Sequence, residues 1–297
     1  MGYKHIEAAL KRSFVILFIL CSTKSISQSI IVGVIKDSIT KVNIPFVNVT
    51  YEAVNAGTMS NSEGYFNLKK IDSLEFIQLS SVGYESKRIN IDKLGKVVYL
   101  SPRIESLEEV VINSKKIKYT KNIKLGLKQT LKIRTGLPFG YEFSSYIENT
   151  FKKRGLVKEI MLNLNKAPKY DFLATYNLKF YRYDSIKKQP GQLIYNENVF
   201  ITPENRTYIL KVDVEKLRIK LPVEGMCIGI ELVNKENYNT TSMSIIAPRI
   251  NFTHTKQKYS TWIRFMNKNW KLSTNESKVK KNQFINANIN ISALIEN

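Results

Sequence analysis

The chain has 297 residues, of which 43% are hydrophobic, and a formal net charge of +21 at pH 7. This length provides for about two domains of ordinary size, each with a hydrophobic core of its own. The hydrophobic fraction is normal for a globular protein, which excludes an intrinsically disordered chain.

The first 27 residues are predicted to be a secretory signal peptide. A positive region and a short apolar run are followed by small residues before a cleavage site, as export signals require. The positive residues are Lys4, Lys11 and Arg12, the apolar run is 13–20, and the small residues are Ser25 and Ser27. The apolar run is too short to cross a bilayer as a stable helix. Cys21 would be acylated in a lipoprotein, but Leu20 stands where a small residue is required, so cleavage after Ser27 is preferred.

Residues 28–112 contain short apolar runs that alternate with clusters of Gly, Asn and Ser. This pattern is typical of several short strands joined by tight turns. Val47, Val49 and Tyr51 fall on one face of a predicted strand, because side chains alternate along a strand. Gly64 provides the positive φ angle that a turn requires. The pattern therefore predicts a small β-sandwich.

The order of motifs in this region resembles the carboxypeptidase regulatory-like domain. The motifs are I-V-G-V-I-K-D at 31–37, P-F-V-N-V at 45–49, G-T at 57–58, G-Y-F-N-L at 64–68 and S-V-G-Y at 81–84. The resemblance implies a transthyretin-like sandwich of seven strands without catalytic function. Residues 107–111 are similar to the segment that follows such a domain in TonB-dependent outer-membrane receptors. The remaining sequence is too short for a receptor barrel. The resemblance thus implies an exported protein, periplasmic or associated with the outer membrane.

Residues 113–124 are predicted to be a basic linker between two domains. Residues 29–112 hold nine Lys or Arg against ten Asp or Glu, whereas the rest of the chain holds thirty-three against fourteen. The positive charge therefore belongs to the second region. The spacing of Ile123, Leu127 and Leu131 permits a short helix, but the same stretch also alternates as a strand does.

Residues 125–297 are predicted to be the second domain, and from Gly140 onward the period is two again. The clearest example is 285–292, in which Ile or Ala alternates with Asn or Ser, so a strand with one buried and one solvated face is predicted. A turn at 267–269 between Trp262 and Trp270 predicts a hairpin. The fold class is therefore all-β, with the first sandwich followed by a larger, jelly-roll-like β-sandwich.

The ionisable residues argue against an enzyme. A metallocarboxypeptidase needs two His and one Glu on zinc and a further Glu as base. His254 is the only His left after removal of the signal peptide, and it is predicted to lie in a strand or loop. Glu108 and Glu109 are adjacent and point to opposite faces of a strand, so they cannot flank one glycosidic bond. Cys227 is predicted to be a buried, inert thiol. We expect no catalytic residue, metal or cofactor.

Aromatic residues in the second region favour an alternative, a carbohydrate-binding module. Tyr181 and Tyr183 belong to an aromatic run that can stack on sugar rings, although such runs more often pack in a core. Trp262 beside Arg264 is the better ligand candidate if its side chain is exposed. These four residues are the candidate ligand-binding residues. A hydrolase whose carboxylates meet in the second sandwich is a further alternative.

The positive charge of the second region predicts attraction to anionic envelope material, such as lipopolysaccharide or acidic polysaccharide, or contact with an envelope protein. Export argues against nucleic acid as the partner. No segment after the signal peptide has the length of a transmembrane helix. We therefore expect a non-catalytic, exported protein that serves as an interaction or adaptor module of the cell envelope.

Overall fold

The computed structural model describes residues 29–103, 118–128, 133–233, 246–258, 260–273, 276 and 281–297. The signal peptide, Cys21, the pair Glu108 and Glu109, and residues 113–117 of the predicted linker lie outside these ranges. Signal cleavage and the first half of the predicted linker therefore stay predictions.

The first region is a sandwich of seven strands in two sheets. The strands are β1 (Ile30–Asp37), β2 (Asn48–Tyr51), β3 (Gly57–Met59), β4 (Tyr65–Lys69), β5 (Phe76–Ser80), β6 (Lys87–Asn90) and β7 (Val97–Leu100), with a 3₁₀ turn at Ile91–Lys93. One sheet has the order β4-β1-β7 and the other has the order β3-β2-β5-β6. Strand β1 runs antiparallel to β4 and parallel to β7. The predicted seven-stranded sandwich is confirmed.

The core of this sandwich lies between the two sheets. The predicted inner face of β2 is confirmed, because Val47, Val49 and Tyr51 are each completely buried. The Tyr51 hydroxyl donates to the carbonyl oxygen of Lys69 (2.9 Å) and accepts from the Ile71 amide (3.0 Å). These bonds satisfy the only polar group that Tyr51 brings into the core.

Gly64 is required by the turn before β4. Its φ is +79°, and a Cβ at this position would lie 3.0 Å from the carbonyl oxygen of Ile35 and 3.1 Å from Cβ of Asn43. We expect Gly64→Val to lower the free energy of unfolding by about 1–3 kcal/mol, since a β-branched residue is strained at positive φ. Urea denaturation measures this loss. Gly95→Ala is the matched control, because the added Cβ would meet only an atom 3.6 Å away. Equal stability of both variants would contradict this account of the turn.

The second region is a larger sandwich, also of two main sheets. Its strands are β8 (Tyr119–Gly126), β9 (Ile133–Thr135), β10 (Tyr141–Glu148), β11 (Gly155–Asn165), β12 (Phe172–Leu173), β13 (Thr175–Asp184), β14 (Gln189–Leu193), β15 (Val199–Ile201), β16 (Tyr208–Asp213), β17 (Lys220–Leu221), β18 (Gly225–Val233), β19 (Ile246–Ala247), β20 (Arg249–Thr255), β21 (Thr261–Phe265), β22 (Lys271–Leu272), β23 (Phe284–Ala287) and β24 (Ile289–Glu296). A second 3₁₀ turn lies at Glu215–Leu217.

A seven-stranded sheet has the order β14-β13-β18-β10-β21-β22, with β15 paired to β13. An eight-stranded sheet has the order β23-β20-β11-β24-β8, with β16 and β17 paired to β11 and β9 paired to β20. The short strands β12 and β19 form a separate parallel pair. These sheets confirm the predicted second, larger β-rich region, and they contain more strands than a simple jelly roll of eight.

Alternate side chains of both sheets form the second core. Leu178, Ile228 and Ile230 of the seven-stranded sheet and Leu162 and Ile291 of the eight-stranded sheet are completely buried. The residues between them on each strand therefore project to the outer faces of the sheets. Those outer faces, rather than the core, are where a site can form.

The start of the second region differs from the sequence-based prediction. Strand β8 begins at Tyr119, so the second half of the predicted linker 113–124 is a strand that pairs with β24. Ile123 and Leu125 are buried in the core because they alternate along this strand. The residues up to Gly126 therefore form a strand, as their alternating pattern indicates. For these residues the alternative prediction of a short helix is wrong.

Two further predictions concern the end of the chain. The hairpin around 267–269 is confirmed, since Trp262 pairs with Leu272 across antiparallel strands. The single strand predicted at 285–292 is instead broken at Asn288 into β23 and β24. Its polar face is not uniformly solvated, because Asn286 is completely buried and donates to the Thr255 hydroxyl (2.7 Å).

Candidate functional site between the two sandwiches

The outer face of the seven-stranded sheet carries four ionisable side chains that are nearly excluded from solvent. Glu142 on β10, Lys179 on β13 and Glu231 on β18 are 1%, 3% and 3% exposed. The side chain of Arg264 on β21 is 11% exposed. Charged residues are rarely buried to this extent unless they are paired. We refer to these four residues as the charge cluster.

The strand register places acids beside bases in the charge cluster. Glu142 lies opposite Arg264 on one neighbouring strand and opposite Glu231 on the other. Lys179 lies opposite Gly229, which has no side chain to separate Lys179 from the carboxylates. A Cβ at Gly229 would collide with Oε1 of Glu142. Glycine at this position therefore leaves the space in which the cluster assembles.

Glu142 is the centre of the charge cluster. Its Oε2 accepts from Nε (2.9 Å) and Nη2 (2.7 Å) of Arg264, and its Oε1 accepts from the Tyr181 hydroxyl (2.7 Å). Arg264 Nη2 also donates to the Tyr181 oxygen (2.6 Å), and its guanidinium lies 4.1 Å from the ring centroid of Trp270. Lys179 Nζ lies 3.5 Å from the same carboxylate. Each polar atom of the Glu142 carboxylate is thus hydrogen-bonded.

Glu231 connects the charge cluster to the first sandwich. Its Oε2 lies 2.8 Å from Lys179 Nζ, and its Oε1 accepts from Nδ2 of Asn48 (3.1 Å). Asn48 is on β2 and is 3% exposed. A buried hydrogen bond to a charged group therefore joins the two sandwiches.

The pKa shifts in the cluster follow from burial and pairing. Burial alone would raise the pKa of Glu231, but the charge of Lys179 and the hydrogen bonds from Lys179 and Asn48 outweigh it and lower the pKa. Burial likewise opposes the charge of Arg264, and Glu142 outweighs it and raises the Arg264 pKa. Burial is the main cause that raises the pKa of Tyr181. At neutral pH Glu231 and Arg264 are therefore charged and Tyr181 is a neutral phenol.

Other contacts between the two sandwiches surround the cluster. The ring of Phe46 meets the ring of Phe200 edge-on, with the centroids 4.9 Å apart. Lys268 Nζ donates to the carbonyl oxygen of Glu52 (3.2 Å) and to that of Val54. Phe46 precedes β2 and contacts strand β15, whereas Glu52 and Val54 follow β2 and contact the β21–β22 hairpin, so the second sandwich contacts both ends of β2.

The polar outer face of the four-stranded sheet is buried at this interface. Asn48, Thr50 and Ser80 alternate with core residues of β2 and β5, and they are 3%, 1% and 2% exposed. The four-stranded sheet therefore faces the seven-stranded sheet. The outer faces of the three-stranded and eight-stranded sheets lie away from this interface.

The four ligand-binding candidates predicted from sequence all lie on this outer face, but Trp262 is not exposed. Trp262 and Tyr181 are 2% and 3% exposed and pack together with Cys227. The condition on which the Trp262 hypothesis depended is therefore not met, because the neighbouring aromatic rings cover its side chain. Arg264 is held by Glu142 and is not available to a ligand.

The aromatic run does not form a flat platform. Tyr183 stacks against Tyr146 with the ring centroids 4.1 Å apart, and it packs against Trp262 at 6.2 Å with the rings tilted by 51°. Burial is the main cause that raises the pKa of Tyr146 to about 12. These rings pack against each other, so they do not form the coplanar, exposed row that a carbohydrate module requires.

The remaining chemical candidates occupy structural positions. His254 is 3% exposed on β20, on the same face as the core residue Phe252. Thr253 and Thr255 project to the opposite face, so they do not form a nucleophile–base pair with it. Cys227 is completely buried, as predicted, and burial raises the pKa of its thiol. Within the described ranges, no three His, Cys, Asp or Glu side chains are grouped as a metal site requires.

Sequence reasoning missed Glu142, Lys179, Glu231, Asn48 and Gly229. A signal for one of them was present, because Glu231 is the single charge inside the apolar sequence of β18. In the part of the chain that the structure describes, no helix is long and apolar enough to cross a membrane.

The comparisons with known proteins identify the first region. Residues 31–112 match the family model of the CarboxypepD_reg-like domain. The chain therefore carries a carboxypeptidase regulatory-like domain, as its motifs predicted, followed by a larger β-rich region. No curated protein matches the chain.

Two solved structures resemble the chain weakly. One is the clostridial cysteine protease Cwp84 after propeptide cleavage, with 12% identity and a TM-score of 0.39 over 81% of this chain and 51% of that one. The other contains the cysteine protease and lectin-like domains of Cwp84, a surface layer associated protein of Clostridium difficile, with 11% identity and a TM-score of 0.36 over 81% and 45%. The chain spans about half the length of these proteins. Likeness at these TM-scores carries no argument about function.

Proposed function

We propose that the protein is a non-catalytic, exported interaction module of the cell envelope. In this proposal the regulatory-like domain is fixed on the second sandwich, which presents a basic surface to anionic envelope material. The observation that carries the proposal is the closed charge cluster. Its carboxylates and cations are bound to one another, to Tyr181 and to Asn48, and are nearly excluded from solvent. A general acid or base has to reach its substrate, and these groups do not.

The charge balance supports an anionic partner. The charge cluster contains two acids and two bases, so it adds no net charge to the second region. The excess of Lys and Arg over Asp and Glu therefore remains at the other positions of 113–297. Many of these residues are exposed, including Lys121, Lys124, Lys211 and Lys220. An unbalanced surface of this kind attracts anions over a distance set by the salt concentration.

The two alternatives from the sequence are less well supported. The carbohydrate module lacks the exposed aromatic row at Tyr181, Tyr183 and Trp262 that motivated it. A carboxylate-based hydrolase needs two carboxylates about 5–10 Å apart on either side of a bound substrate. Glu142 and Glu231 are adjacent, but they are covered by the first sandwich and neutralised by Lys179 and Arg264.

The proposal predicts salt-dependent binding to anionic surfaces. The mature chain should bind vesicles that contain anionic phospholipid, and the affinity should fall steeply between 50 mM and 500 mM NaCl. The reason is that exposed charges are screened beyond about 8 Å at physiological ionic strength. Vesicle co-sedimentation measures the binding, with neutral vesicles as the control. Equal binding to neutral vesicles, or binding that salt does not weaken, would contradict the role of charge.

A further inference from the structure

We propose that the outer face of the eight-stranded sheet carries a binding groove for a carboxylate-bearing polysaccharide. The groove is open to solvent and has a volume of about 310 Å³. Its lining includes Lys124, Lys128, Met161, Asn163, Ile209 and Asn290. The inference rests on the proposed function, because it assigns a place and a chemical class to the anionic partner.

Four neighbouring strands build the floor of the groove. Strand β11 pairs with β16 on one side and with β24 on the other, and β24 pairs with β8. Met161 and Asn290 face outward because Leu162 and Ile291, their neighbours along the strands, lie in the core. Gly126 has a φ of +128°, and a Cβ there would collide with Asn290. Glycine therefore allows β8 to approach β24 without filling the groove.

The lining has the chemistry of a site for an anionic sugar chain. Lys124 and Lys128 are its charged residues, and no carboxylate is among the described residues that line it. Lysine ammonium groups pair with carboxylates, and the amides of Asn163 and Asn290 can hydrogen-bond sugar hydroxyls. Ile209, which is 56% exposed, gives the groove an apolar surface for the C–H faces of a sugar ring.

The arrangement favours a repeating anion over a single phosphate. Lys124 lies on β8 and Lys128 follows two residues after its end, so the two ammonium groups come from different points along one edge of the groove. A chain with a carboxylate on successive sugars can meet both lysines. A single phosphate would need donors that converge on one point.

The test uses polygalacturonate and its fully methyl-esterified form, which has the same sugars without the charge. We expect the mature chain to bind polygalacturonate and not the ester in isothermal titration calorimetry. Lys124→Ala combined with Lys128→Ala should weaken binding about three- to thirtyfold, as the loss of two exposed charge contacts predicts. Lys169→Ala combined with Lys187→Ala is the control. It removes the same charge from exposed positions outside the groove and should leave the affinity within twofold.

Four outcomes would contradict the groove, and one of them would also contradict the proposed function. Equal losses in the two double variants would overturn the groove while leaving the proposed function in place, because the attraction would then be diffuse. Vesicle binding without polygalacturonate binding would also overturn the groove alone. Displacement of polygalacturonate by inorganic phosphate at micromolar concentration would mean that the groove is a phosphate site and not a polysaccharide site. Failure to bind any anionic probe would overturn both the groove and the proposed function.

Discussion

Lys179→Met is expected to lower the free energy of unfolding by about 3–5 kcal/mol, the usual cost of removing one partner from a buried ion pair. The variant would leave the carboxylates of Glu142 and Glu231 side by side with only Arg264 to balance them. Urea denaturation at pH 7 measures the loss. Lys187→Met is the matched control, because Lys187 is exposed and its replacement should change stability by less than about 0.5 kcal/mol.

A second substitution should recover part of this loss. Adding Glu231→Gln to Lys179→Met removes the carboxylate that lost its cation, so the double variant should be more stable than Lys179→Met alone. If Lys179→Met and Lys187→Met had the same effect, Lys179 would not be the cation that neutralises the buried carboxylates. The same conclusion would follow if Glu231→Gln destabilised the Lys179→Met variant further.

Gly229→Val should lower the free energy of unfolding by about 2–4 kcal/mol, from overpacking and from loss of a buried hydrogen bond. The new side chain would displace the Glu142 carboxylate and press on the Tyr181 ring, 2.9 Å from the ideal Cβ position. Thermal unfolding measures the effect.

Ser144→Ala is the matched control for Gly229→Val. Ser144 is opposite Gly229 on β10, is completely buried, and has a hydroxyl without a hydrogen-bond partner in the described part of the chain. Removing that hydroxyl should leave stability unchanged or slightly higher, because no hydrogen bond is lost. If Gly229→Val left the stability unchanged, the space around Gly229 would be larger than the structure shows, which would contradict the described packing of the cluster.

The buried cluster has a consequence for the way the two sandwiches associate. A buried ion pair adds little net stability relative to apolar residues of the same size, because desolvation offsets the attraction. If the first domain docked in a different position, however, Glu231 would lose its hydrogen bond from the Asn48 amide. The charge cluster would then face groups that do not pair with it. The charge cluster therefore defines one docking geometry more strongly than it stabilises the fold.

The sequence predicts local structure well in this protein. The alternation at Val47, Val49 and Tyr51 defines the inner face of β2, and the turn around Lys268 defines a hairpin. These features depend on residues close together in the chain, where a period of two and turn residues are visible. The family motifs of the first sandwich are local in the same sense.

The charge cluster could not be predicted because it depends on strand order. Glu142, Lys179, Glu231 and Arg264 come together only because β13, β18, β10 and β21 are neighbours, although they are far apart in sequence. Burial of Trp262 depends in the same way on the aromatic rings that cover it. Asn288 shows another limit, since the break between β23 and β24 lies inside an uninterrupted alternating pattern.

The central claim is that a buried, charge-assisted contact holds the two sandwiches in one geometry. The most direct measurement is a double-mutant cycle between Asn48→Ala and Glu231→Ala at pH 7, with stability measured by urea denaturation. Glu231 has a lowered pKa, so it is ionised at this pH, and its contribution is lost only as the pH falls below about 4.3 and through its folded-state pKa. We expect a coupling free energy of about 1.5–3 kcal/mol, the range for a hydrogen bond to a charged group. Additive effects of the two substitutions, with no coupling, would contradict the claim.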